Sequence, residues 1–163
     1  MTVTPCSALP KNALEDLLSP YHLQIKWVSN TIDIPGSFWG ETEAGLIENT
    51  LYLQQQTPVH SALHEACHYI CMDSARRSGL NTDAGGDYDE ENAVCYLQLL
   101  LSCSLSGYSQ IQHFQDMDSW GYSFRLGSAK RWFEDDASDA KQWLIDKQLI
   151  NMAEKPNGSL RLT

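Results

Sequence analysis

The chain has 163 residues, 42% of them apolar and 20% charged, which suits one domain of ordinary size with a buried core. Lys and Arg number 11 against 21 Asp and Glu, for a formal charge of −10 and an isoelectric point near 4.7. That balance speaks against a nucleic-acid binder, whose affinity rests on clustered cations, and against docking on an anionic membrane.

In chain order, residues 11–18 predict a short helix with Leu14, Leu17 and Leu18 on one side, closed by Pro20. Residues 22–28 alternate, Leu23, Ile25 and Trp27 facing one way, and predict a half-buried strand. Pro35-Gly36 marks a turn. Phe38–Trp39 and Leu46–Leu53 read as two further strands joined across Glu41–Gly45. Within Asn49–Gln54, Leu51 and Leu53 alternate with Thr50, Tyr52 and Gln54, as in a sheet with one wet face.

A long helix follows. Thr57 reads as its N-cap and Pro58 as its first residue, and Val59, Leu63, Ala66 and Ile70 recur at helical spacing. Arg76 and Arg77 occupy the last turn, before Gly79. From Pro58 to Ser78 this helix is about 30 Å long. Residues 81–92 carry five acids and no base and read as a loop. A second long helix starts near Asp87 or Asp89 and runs to about Leu105, ending at Gly107. Shorter helices are expected at 109–118, 128–135 and 138–150, with Trp120, Tyr122, Phe124, Trp132 and Trp143 as their core. The tail from Pro156 reads as loose. Strands before helices give an α+β fold class.

No apolar run approaches the roughly 18 residues of a transmembrane helix. Met1 to Pro10 shows no basic segment followed by an apolar stretch. Cys6, Cys67, Cys71, Cys95 and Cys103 form an odd set without a C-x-x-C pair. Both features read as a cytoplasmic protein with reduced thiols.

Inside the first long helix lies His64-Glu65-Ala66-Cys67-His68, an H-E-x-x-H motif. Positions i and i+4 stand one above the other on a helix, so both imidazoles can reach one Zn²⁺ at about 2.0–2.1 Å. Glu65 projects beside them, placed to take a proton from a metal-activated water without being a ligand. The third ligand must come from elsewhere, because neither the Gly-x-x-His extension nor a reversed H-x-x-E-H occurs. The acidic start of the second long helix is the natural donor. Glu90 leads a stripe of Ala93, Val94, Leu97 and Leu101, whereas Glu91 leads the more polar Val94, Cys95, Gln98 and Ser102. Burying Gln98 and Ser102 without partners would cost roughly 1–3 kcal/mol each, so helical phase favours Glu90, with Glu91 the alternative and Asp87 a distant third. These acids also suit a helix N-terminus while staying solvated, with or without a metal.

His64-Glu-Ala-Cys-His68 followed by Glu90-Glu-Asn-Ala93 resembles the small gluzincin-type zinc peptidases, especially the ImmA/IrrE-like group. The resemblance covers roughly residues 46–101. It implies a compact zincin-like fold, and with the chain length it gives a single zincin-like domain over 1–163, of which about 120–163, outside the resemblance, is expected as a helical C-terminal extension. In such a fold a small antiparallel or mixed sheet packs on the H-E-x-x-H helix and a glutamate helix. The family's edge strand, which binds an extended substrate, would fall on Asn49–Gln54. The family's Asn or Asp four residues past the ligand is Val94 here, so Asp73 or Asp87 must orient a histidine instead, unless the Glu90 register is displaced.

The expected function is a zinc metallopeptidase-like hydrolase acting on a peptide or isopeptide bond of a peptide or protein substrate, with no nucleic-acid or membrane partner. His64, His68 and Glu90 (alternatively Glu91) would hold Zn²⁺, with Glu65 as general base. Such a site also accepts Mn²⁺, Fe²⁺ or Co²⁺. Tyr88, His113 and Tyr122 are candidates to stabilise an oxyanion. His60 reads as a rim residue, and Cys67 and Cys71 as inert buried thiols. The alternative is a non-catalytic, metal-stabilised binding or sensor module that takes an extended segment along Asn49–Gln54 by strand addition. A transcriptional regulator making its own DNA contacts is disfavoured by the charge.

Overall fold

The structure is a computed structural model that describes residues 3–37 and 42–163. Leu14 and Leu18 recur one turn apart and anchor helix α1 (Ala13–Leu18) in the core. The alternating stretch behind it forms β1 (Gln24–Trp27), with Ile25 and Trp27 half-buried and Gln24 and Lys26 in water. Phe38–Trp39, expected as a strand, lies outside the described residues.

Residues 46–53, expected as one strand, form a hairpin. Strands β2 (Gly45–Ile47) and β3 (Thr50–Leu53) pair antiparallel across Glu48–Asn49. Glu48 adopts a left-handed backbone, φ +52°, which lets two residues reverse the chain. Gly45 is required here, since a Cβ would lie 1.9 Å from the Pro35 carbonyl oxygen. β3 also pairs in parallel with β1, so the sheet is mixed, in the order β1-β3-β2. This corrects the edge strand expected at Asn49–Gln54, because β3 is central and both its sides are bonded. The outer side of β2 is covered too. Leu46 N–H donates to the Gly36 carbonyl, Thr82 N–H to that of Leu46, and Glu48 N–H to that of Leu80.

Helix α2 (Val59–Cys71) buries Val59, Leu63, Ala66 and Ile70 completely. The Thr57 hydroxyl does not cap it but accepts from Gln54 N–H at 2.9 Å, and Pro58 occupies the N-cap position. The long helix expected to Ser78 breaks at Met72, which is extended. Asp73 then caps a separate α3 (Ser74–Ser78), its carboxylate accepting from Arg76 N–H at 2.9 Å, and α3 stops at Gly79.

Asp87 caps α4 (Tyr88–Ser102) through Glu90 N–H. This helix is buried nearly all round, packing most extensively on α2 and then on α7 (Ser138–Asp146). Between them in sequence come α5 (Gln110–Trp120) and α6 (Ala129–Asp135). Three strands and seven α-helices among the described residues make an α+β fold. The tail, expected to be loose, is docked instead. Arg161 N–H donates to the Ile70 carbonyl, Ser74 N–H to that of Leu162, and the Arg77 guanidinium to that of Arg161 at 2.8 Å. No helix among the described residues is long and apolar enough to cross a membrane.

Candidate metal centre

On α2 the four-residue spacing stands the His64 and His68 rings one above the other, 4.7 Å between centroids, with their Nε2 atoms 3.2 Å apart. The first turn of α4 brings Glu91 to both. One carboxylate oxygen lies 3.1 Å from His64 Nε2 and the other 3.2 Å from His68 Nε2. Burial works to raise the Glu91 carboxyl, but its hydrogen bonds with the two histidines outweigh this and hold it well below the usual range. Among the described residues this is the one group of three or more His, Cys, Asp or Glu side chains whose ligand atoms converge.

The donor set fits a divalent metal. Ligand atoms about 2.0–2.1 Å from a tetrahedral zinc stand about 3.3–3.4 Å from one another, close to the spacing observed. Two imidazoles and a carboxylate are also ordinary catalytic-zinc ligands. His64 is held for this role, since its Nδ1 lies 2.7 Å from the side-chain oxygen of Gln98. An amide oxygen only accepts, so Nδ1 carries a hydrogen and Nε2, which faces Glu91, is the nitrogen a metal would take.

Glu90, favoured by helical phase, is elsewhere. Its carboxylate accepts from Arg76 at 2.6 Å and from Arg161 at 2.9 Å, and it is 3% exposed. Gly86 makes room for this arrangement, because a Cβ there would sit 2.4 Å from Glu90 Oε2. Glu91 therefore replaces Glu90 beside the histidines. The argument for Glu90 assumed that Gln98 and Ser102 would be buried without partners, and both have them. Gln98 joins His64 and His113, and Ser102 donates to the Leu99 carbonyl at 2.7 Å. Asp73 and Asp87 cap their helices and orient no histidine.

Glu65 is half-buried beside the histidines, and burial raises its pKa against the pull of His64 and His68. It lines a cleft of about 490 Å³ together with His60, His64, Glu91, Trp120 and Tyr122. On its other side a pocket of about 270 Å³ runs past His68 to Thr82–Gly85. The convergent groups thus stand on a wall reached from two sides.

The cleft also sorts the remaining candidates. Tyr122 faces His64, 5.8 Å between ring centroids, and its hydroxyl lies 3.2 Å from His60 Nδ1. Burial pushes the Tyr122 phenol up to about 12, so it stays a donor. His60, read as a rim residue, is a buried part of the wall, stacked at a tilt on Trp120. Tyr88 is an exposed residue at the mouth, and His113 is buried behind Gln98, outside the cleft. Trp120, Tyr122 and Phe124, expected as core, line the cleft as well. Cys67 and Cys71 are fully buried, with burial raising both thiols.

Comparison of the chain with protein-family models, with curated proteins and with solved structures finds no match.

Proposed function

We propose that this chain is a metal-dependent hydrolase of zincin type that cleaves a peptide or isopeptide bond. The observation that carries this reading is the convergence of His64, His68 and Glu91 beside Glu65 on the wall of an open cleft. Zinc held by those three residues would lower the pKa of a coordinated water toward about 7 and polarise a carbonyl. Glu65 takes the proton from the attacking water and returns it to the leaving amine, a task that suits a carboxyl whose pKa burial has raised. The Tyr122 hydroxyl donates to the carbonyl oxygen as negative charge develops there. The substrate enters between α2, α4 and residues 120–124 rather than joining the sheet, in keeping with the central position of β3 and the covered side of β2. A reducing, cytoplasmic setting agrees with five unpaired cysteines.

Metal analysis of the purified chain tests this reading. About one zinc per chain is expected, lost in His64→Ala and His68→Ala. Glu65→Gln should keep the zinc and lose cleavage of a peptide and isopeptide library. Full zinc in either histidine variant overturns the site. Unchanged cleavage by Glu65→Gln removes the base, and a zinc-loaded chain that cleaves nothing is instead a metal-stabilised binding module.

A further inference from the structure

Gln98 lies two turns beyond Glu91 on α4 and is fully buried. Its side-chain oxygen is 2.7 Å from His64 Nδ1. Its side-chain nitrogen is 2.9 Å from His113 Nε2 and 3.5 Å from the main-chain oxygen of His60. An amide can sit either way round, and the two orientations have opposite consequences for the metal site. With the oxygen toward His64, Nδ1 carries the hydrogen and Nε2, facing Glu91 and His68, is the nitrogen left to take a metal. With the nitrogen toward His64, the hydrogen would move to Nε2 and an N–H would occupy the position of the metal.

The His60 carbonyl chooses between these orientations. A main-chain carbonyl only accepts, so the His60 oxygen calls for the amide nitrogen on its side. With the nitrogen on that side, His113 Nε2 accepts from it in the tautomer that carries its hydrogen on Nδ1. From this geometry we infer that Gln98 is a positioning residue that commits His64 to ligation through Nε2, and that the His60 carbonyl, with His113 as a second acceptor, holds the Gln98 amide in the required orientation. The inference rests on the metal-site reading above. Burial keeps His113 neutral, its pKa held down to about 3, so one of its ring nitrogens is free to accept at ordinary pH. His64 and its oriented partner thus meet in the same α2–α4 contact that delivers Glu91.

The test is zinc affinity of the full-length chain, by competition with a chromogenic chelator, alongside thermal unfolding of the zinc-free chain. Gln98→Met keeps the shape and removes the hydrogen bonds, and should weaken zinc binding about 10–100-fold while the unfolding transition persists. Gln98→Glu, which retains an acceptor for His64 Nδ1, should restore affinity to within a few-fold of the parent. His113→Leu should weaken binding several-fold in the parent and add nothing to Gln98→Met. Zinc affinity of Gln98→Met within twofold of the parent overturns the inference. Should that variant not fold, His113→Leu decides, with unaltered affinity overturning the inference and a several-fold loss supporting it. A parent chain that binds no zinc overturns the metal-site reading itself, which separates the two failures.

Discussion

His64 Nε2 and Glu91 Oε1 meet at 3.1 Å across the packing of α2 on α4, so the candidate site is a product of the main helix–helix contact in the molecule. The residue just before Glu91 marks the contrast. A step of one residue turns a helix by about 100°, which takes the Glu90 carboxylate from the histidines to Arg76 and Arg161. One glutamate serves the site and its neighbour holds the helix end in place.

Substituting the two glutamates should therefore give opposite results. Glu91→Ala should lower zinc affinity by at least two orders of magnitude and change zinc-free stability by less than about 1 kcal/mol, since its side chain is half exposed. Glu90→Ala leaves two arginines without their shared anion and should cost roughly 3 kcal/mol of stability at full zinc stoichiometry. Zinc titration and urea unfolding of both variants check this.

Arg161 couples the tail to that pair. It donates to Glu90 and to the Cys71 carbonyl, at 2.9 and 3.0 Å. Removing residues 159–163 should lower the unfolding midpoint by several degrees and speed hydrogen exchange in the first turn of α4. Exchange rates unchanged at residues 88–92 would show that the tail does not brace this helix.

Tyr122→Phe removes a hydroxyl but no ligand. Zinc affinity should stay within about threefold, while cleavage of any amide substrate identified should fall by about 10–1000-fold in kcat. A variant with full kcat would assign Tyr122 to packing alone.

Two buried neutral histidines set the acid sensitivity of the zinc-free fold. Burial holds His60 at about 4 and His113 at about 3, against an unfolded value of 6.5. Below pH 6.5 the unfolded chain takes up protons that His60 and His113 refuse when folded, so their contribution is full above 6.5 and falls as the pH drops toward 4. His64, raised beside Glu91, contributes in the opposite direction and loses its share as the pH rises. Each unit of separation is worth about 1.4 kcal/mol. Glu91 and Asp116, both held low, add to the loss only below about 4.5. Urea unfolding at pH 7, 6 and 5 should show the decline, and His113→Leu should flatten it.

Local spacing and local chemistry by themselves determined a good part of this protein. The histidine pair and Glu65 follow from i, i+4 geometry, the start of α4 from Asp87, the end of α3 from Gly79, and the burial of Leu51 and Leu53 from alternation. Each depends on neighbours within a few residues. Tertiary structure decided which glutamate meets the histidines, because α4 is buried nearly all round and an apolar stripe no longer reports its rotation. Gln98 and Ser102 looked like polar residues that burial would penalise, until partners from α2, α5 and the helix's own backbone satisfied them. The centre or edge position of a strand is likewise invisible in its own residues, since β1 and β2 both precede β3 in the chain yet flank it in the sheet. The same holds for Trp120, Tyr122 and Phe124, whose apolar surface fits a core or a cleft equally well until α2 comes to lie against them.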